Sequence, residues 1–381
     1  MHYLDHAATT PLLPEAAEVL TRLSAEVFGN PSSVHAYGRA ARAEVEDARD
    51  KVAAAIGASP AEVVFTSGGT EADNLAVKGA AAKRAADGRH LVLSAYEHHA
   101  VLHAAEALGQ RGFELSIVEV TPGGVVEPDA VAAAVRSDTV LVSVMAVNNE
   151  LGTVNDVAAI SAAVKAANGR ALVHTDAVQA LGKIEVDVAA WGVDLASFSA
   201  HKLGGPKGTG ALYVRAHTPL APLQHGGGQE RGLRSGTLNA PGIAAFGVAA
   251  ELAAKDVAVE GERLRPLKQR LLEGFFAAVP DGRLNGDPER AVAHIVNVSV
   301  PGAEGETLLL LLDQAGIACS TGSACQSGAL DPSHVLLALG LERALADGAL
   351  RFSFGRTTSA ADIEALLEVL PEVVARARRA A

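Results

Sequence analysis

The chain has 381 residues, 49% of them hydrophobic, a mean hydropathy of +0.20 and a formal net charge of −12 from 32 basic and 44 acidic residues. The charge is spread without long like-sign blocks, which argues against a nucleic-acid footprint, and no uncharged apolar run reaches the roughly 18 residues that a membrane span needs. The first residues, MHYLDHAATTP, carry neither a basic n-region nor an apolar h-region, and two cysteines, Cys319 and Cys325, are too few for a disulfide framework, so a globular, unanchored, cytoplasmic protein is expected.

From about 60 to 215, short β-branched runs alternate with Ala-rich helical stretches: VVFTS (63–67), HLVLSA (90–95), TVLVSVMAV (139–147), ALVHTDA (171–177) and DLASFSA (194–200). That alternation predicts an α/β fold with a mostly parallel sheet covered on both faces, and it directs attention to the carboxyl ends of the strands. Residues 217–241 are rich in Gly and Pro and aperiodic, which predicts a long loop of the functional kind. A helical stretch over about 242–279 follows, then HIVNVSVP (294–301), TLLLLLDQAG (307–316), GALRFSFG (348–355) and a final helix from about Ala360. The expected division is a large domain over 16–256 and a smaller α+β domain formed by 1–15 and 257–381.

Candidate chemistry collects at the strand ends. Ser67-Gly68-Gly69-Thr70-Glu71 follows VVFT and opens a helical run, where backbone N–H groups and the helix dipole favour an anion. A plain strand-to-helix turn accounts for the same letters. His98 follows the next strand, where it can stack on a planar ligand, move protons or serve structure. Asn148, Asn149 and Glu150 follow an apolar run. Asp176, with Gln179 three residues on, ends another, and a buried acid there needs a cation or strong donors unless it is a helix cap. Lys202, after DLASFSA and between His201 and Leu203, is placed for desolvation, which favours the neutral nucleophilic amine; Lys207 in GGPKGTG is the competing lysine. A cofactor such as pyridoxal phosphate needs both a lysine and an acid for its ring nitrogen. By composition alone Cys325 reads as a small buried hydrophobe.

Taken in order, YLDHAATTP, NPSSVHAYGR, TSGGTEADN, EHHAV, VNNELG, HTDAVQ, SFSAHKLGGPKG, HGGGQERGLRSGT, STGSACQSG and RFSFGR resemble the signature segments of NifS/IscS-type cysteine desulfurases. These are class V, fold type I pyridoxal-phosphate enzymes. The resemblance implies pyridoxal 5'-phosphate held covalently on Lys202. Gly69, Thr70, Ser199 and His201 would contact its phosphate, joined by Thr237 from the other subunit of a homodimer. It further implies His98 stacked on the ring and carrying protons, Asp176 at the ring nitrogen, Gln179 at the phenolic oxygen, and Asn149 with Arg356 on the carboxylate of L-cysteine. Cys325, on a mobile loop over about 318–332, would take the sulfur as a persulfide and pass it to an acceptor such as an iron–sulfur scaffold. Cys319 has no required role and is expected to end the strand after GIA. The stretch after Arg356 is short for the IscS type, so scaffold docking is expected to differ. A transaminase of the same fold would share Lys202 and Asp176 without needing Cys325, and an idle carrier scaffold would not need the whole set.

Overall fold

The computed structural model describes residues 1–321 and 332–380. Its strands are β1 (His2–Tyr3), β2 (Val63–Thr66), β3 (His90–Ser94), β4 (Glu114–Val118), β5 (Thr139–Ser143), β6 (Leu172–Asp176), β7 (Leu195–Ser199), β8 (Gly210–Val214), β9 (Arg283–Leu284), β10 (Ile295–Ser299), β11 (Ile317–Ala318) and β12 (Ala349–Ser353). Seven of them form one sheet in the order β2-β8-β7-β6-β5-β3-β4, parallel except for β8, which runs against both neighbours.

Every residue of β3, β5, β6 and β7 is buried, which is why those segments read as apolar runs rather than as alternating ones. Two strands lie outside the runs singled out above. β4 is an edge strand, ELSIV, with only Val118 buried and Glu114 and Ile117 exposed. β8 follows the Gly-rich turn GGPKGTG; a Cβ on Gly210 would fall 2.6 Å from Gly68 Cα and 2.6 Å from Phe198 O, so only glycine admits this close pass.

Helices cover both faces. One core joins Val45, Val52, Phe65, Phe198 and Phe246 from the helices Ala36–Ala55 and Ala240–Lys255 and the sheet between them. The other face is covered by Gly69–Arg84 and His99–Gly109, with Leu75, Leu91, Val101 and Leu212 in contact. The stretch 242–279 is two helices, Ala240–Lys255 and Val257–Ala278, broken at Asp256. A separate core gathers Leu4, Leu264, Phe275, Val298, Leu308, Phe352 and Leu366 around the three-stranded sheet β12-β10-β9. There TLLLLLDQAG is mostly helix, Gly305–Gln314. β1 pairs in parallel with β11, so the first residues lie on this second core. Cys319 directly follows β11 and is buried, which pushes its thiol up to about 12.

The long segment after β8 is anchored at Glu230, whose carboxylate accepts from Arg49 Nη1 (2.9 Å), Arg49 Nη2 (2.7 Å) and Phe65 N (2.8 Å). Among the described residues no helix is long and apolar enough to cross a membrane.

Candidate active site

A cavity of about 290 Å3 opens at the carboxyl ends of β6 and β7, under the backbone of Ala7 and Ala8. It brings together Gly69, Thr70, His98, Asn149, Asp176, Gln179, Ser199, His201 and Lys202. β7 ends at Ser199, and a single 3-10 turn, Ala200–Lys202, swings the lysine back over the strand ends. Lys202 Nζ donates to Ala7 O at 2.6 Å and Ala8 O at 2.7 Å. The same Ala7 carbonyl accepts from Gln179 Nε2 at 2.9 Å, while His201 Nδ1 lies 3.1 Å from Thr9 Oγ1. The amino-terminal segment is therefore the roof that positions the lysine. Nothing in MHYLDHAATTP read alone signals that role, because it is played by backbone oxygens.

Asp176 closes β6 and is 4% exposed. Its Oδ1 accepts from Val178 N at 2.9 Å. Burial pushes the carboxyl up to about 6, against the pull of that N–H and of the Lys202 charge. Asp73, one helical turn into Gly69–Arg84, is equally deep; burial and then the Asp176 charge raise its carboxyl well above the usual range. Oxygens of Asp73 and Asp176 and a ring nitrogen of His98 lie within 4.8 Å of one another. His98 caps the helix His99–Gly109, its Nδ1 accepting from Ala100 N at 3.1 Å. Burial, with Lys202 next, lowers its imidazole to about 4, so the ring is neutral near pH 7.

A buried polar chain runs beneath these groups, and sequence reasoning missed it. His174 Nε2 lies 3.0 Å from Ser197 Oγ and 3.6 Å from Asp73 Oδ1. Its Nδ1 lies 2.8 Å from Ser143 Oγ, which donates to Glu97 Oε2 at 3.2 Å, and Glu97 Oε1 accepts from Met145 N at 2.7 Å. The available signal was a polar residue within each buried strand, Ser143, His174 and Ser197, beside other polar residues of the same strands.

The residues fit pyridoxal phosphate. Asp176 is a deep acid poised for a ring-nitrogen cation, and Gln179 Oε1 is buried with no hydrogen-bond partner. Gly69 opens the first turn of its helix in the cavity wall, where a Cβ would come within 2.7 Å of Val178 Cγ2, so only glycine lets this helix start lie against Val178, and a helix start is where an anion is favoured.

One expected residue stands elsewhere. Arg356 does not reach the cavity: its Nη2 is 2.8 Å from Asp256 Oδ2 and donates to Leu252 O at 3.2 Å. The guanidinium that does line it is Arg351, 3% exposed, with Nη1 donating to Asn149 O at 3.0 Å, Nη2 to Asp5 Oδ1 at 2.9 Å, and Nε without a partner. The correction follows from strand geometry, since Arg351 is within β12 whereas Arg356 lies three residues past its end. Thr237 is exposed and outside the cavity. Cys325 lies outside the described residues. Of the neighbouring amides, Asn149 lines the cavity, while Asn148 holds a turn, its Oδ1 accepting from Glu150 N (2.9 Å) and Leu151 N (3.0 Å).

The class-V aminotransferase family matches residues 2–366. Cysteine desulfurase IscS of Methanosarcina thermophila is 45% identical over 376 residues, covering 99% of this chain and 92% of its own. The cysteine desulfurase IscS of Acinetobacter baumannii (strain AYE) is 47% identical over 383 residues, with 99% and 93% covered. Among solved structures, a NifS-like protein superposes with a TM-score of 0.93 at 38% identity, covering 99% of this chain and all of that one. SspA in complex with cysteine gives 0.81 at 34% identity, covering 93% and 99%. The chain belongs to the class-V aminotransferase family, and within it to the IscS-type cysteine desulfurases.

Proposed function

We propose that the chain removes sulfur from L-cysteine, releasing L-alanine and leaving a persulfide on Cys325, with pyridoxal 5'-phosphate carried covalently by Lys202. The observation that carries this reading is the meeting of Lys202, His98 and the deeply buried Asp176 in one cavity, in a chain 45% identical to a cysteine desulfurase over its length. Bound there, the cofactor supplies an electron sink for the charge left at the substrate Cα.

The protein's part is to hold and to move protons. Gly69, Thr70, Ser199 and His201 would cradle the phosphate, Asp176 would be the counter-charge of the ring nitrogen, and Gln179 would meet the phenolic oxygen. Asp176 gains from that pairing, because its ionised form meets a cation in place of an apolar surrounding. The Lys202 amine removes the Cα proton. His98, neutral and at the ring, relays protons. Arg351, beside Asn149, presents its Nε to the substrate carboxylate, taking the part expected of Arg356. Cys325 Sγ then bonds to the substrate sulfur as the Cβ–S bond breaks; Cβ is reduced and protonated, and both sulfurs stay on the enzyme. Atoms balance as cysteine plus enzyme thiol giving alanine plus enzyme persulfide.

The proposal includes a homodimer with Thr237 reaching the partner's phosphate, a cytoplasmic setting, the division into 16–256 and 1–15 with 257–381, and onward transfer to a protein acceptor such as an iron–sulfur scaffold. The test is alanine and sulfide release from cysteine with a reductant. Lys202→Ala should abolish both products and the yellow colour, and Cys325→Ala should abolish sulfide. Full sulfide production in both variants overturns the proposal; amino transfer to a keto acid that survives Cys325→Ala favours a transaminase.

A further inference from the structure

A second cavity, of about 130 Å3, lies on the far side of Lys202 from the first. Its walls come from both cores: His6 and the Thr10–Pro14 segment, Leu181–Lys183 after β6, His294, and Phe354–Arg356 after β12. At that volume it holds several waters or one small ion.

Polar hydrogen-bonding capacity in this space is unspent. His6 is 4% exposed and neither ring nitrogen has a hydrogen-bond partner; His294 is 6% exposed and its Nδ1 has none. The half-buried Lys183 side chain lines the same space. The acids nearby are already committed. Glu260 is bound by Arg263 at 2.8 Å, Asp256 by Arg356 at 2.8 Å, and Asp362 by His2 at 2.7 Å. The charged neighbour that acts on Lys183 is the cation Lys202. Burial and then the Lys202 charge lower the half-buried Lys183 ammonium to about 7, a cost that an anion beside it would offset. Burial holds His6 near 4 and His294 near 3, so each ring is neutral and offers one N–H without adding charge.

We propose that this cavity is a binding site for a small tetrahedral oxyanion of the sulfate or phosphate class, held by the Lys183 ammonium and by N–H donors from His6 and His294. Because His6 and His294 come from one core's segments and Lys183 from the other's, occupancy ties the two together at the back of Lys202. The inference rests on the surroundings of Lys183 and on the cofactor site proposed above, whose loading the cofactor's absorbance reports separately.

Binding is measured by isothermal titration of sodium sulfate into the cofactor-loaded protein, so that the cradle at Gly69 and Thr70 is filled, with sodium chloride holding ionic strength constant. One saturable site per chain is expected. Lys183→Gln should weaken it at least tenfold and Lys183→Arg should keep it within about threefold, the cofactor's absorbance being unchanged in both. Sulfate should also raise the melting temperature of the unaltered protein above that in chloride, an arm that needs no variant. No saturable heat and no melting shift overturns the proposal, as does undiminished sulfate binding in Lys183→Gln. Acetate binding as tightly as sulfate overturns the assignment to a tetrahedral anion.

Discussion

Replacing Arg351 by lysine tests which arginine receives the substrate carboxylate. Two of the three nitrogen positions of the Arg351 guanidinium are spent within the protein, on Asn149 O and Asp5 Oδ1, and Nε is left toward the cavity. A carboxylate there would take a charge-assisted hydrogen bond, worth about 1.5–3 kcal/mol. Lysine keeps a point charge but cannot serve Asp5, Asn149 and the substrate at once. The loss of that one bond corresponds to a fall in kcat/KM of about 10- to 150-fold, carried mainly by KM if the contact is equal in ground and transition states. The assay is the initial rate of alanine formation against cysteine concentration, with a thermal melt to separate loss of the Asp5 pair from loss of substrate contact. Arg356→Lys is the comparison, since that side chain is 36% exposed and paired with Asp256, and its effect should be far smaller. A large rise in KM for Arg356→Lys alongside an ordinary KM for Arg351→Lys would refute the assignment.

Other perturbations follow from the same geometry. Asp176 is raised from 3.8 to about 6 in the cofactor-free fold, so its ionisation costs about 3 kcal/mol at pH 7 and the penalty develops as pH rises from about 4 to 6. Asp176→Asn should therefore raise the melting temperature of the cofactor-free protein at pH 7, not at pH 3.5, while weakening cofactor retention; equal shifts at both values count against a buried charge. Glu230→Gln leaves Arg49 short of its buried partner and should cost about 3–5 kcal/mol, read by urea unfolding, with faster protease cleavage in 217–239. Gly69→Ala places a methyl 2.7 Å from Val178 Cγ2, so cofactor dissociation should quicken at least tenfold while the fold survives; unchanged retention would remove the cradle from Gly69.

What could be read beforehand divides along physical lines. Lys202, Asp176 and His98 were legible because Asp176 closes a buried strand and the other two lie within four residues of the end of one, and a parallel sheet delivers such residues to one edge whatever the details of packing. β4 was not, since an edge strand with polar residues has no buried pattern to announce it. His174, Ser143 and Ser197 were hidden for the opposite reason: each stands within an apolar run, and only the pairing of β5, β6 and β7 puts their side chains in reach of one another.

The two arginines of RFSFGR show where sequence reading of the site ran out. β12 alternates, with Ala349 packing in the core of the large sheet while Leu350 and Phe352 pack in the second core. Arg351 and Ser353 share the first of those faces, which is why Arg351 meets Asp5 and Ser353 Oγ accepts from Ala7 N at 2.8 Å, both in the roof over Lys202. Arg356 is beyond the strand, where the alternation no longer applies and Asp256 claims it. Strand register, a long-range property set by the pairing of Arg351 with Asn297 on β10, thus decides which guanidinium lines the cavity, and a motif six residues long cannot contain that information.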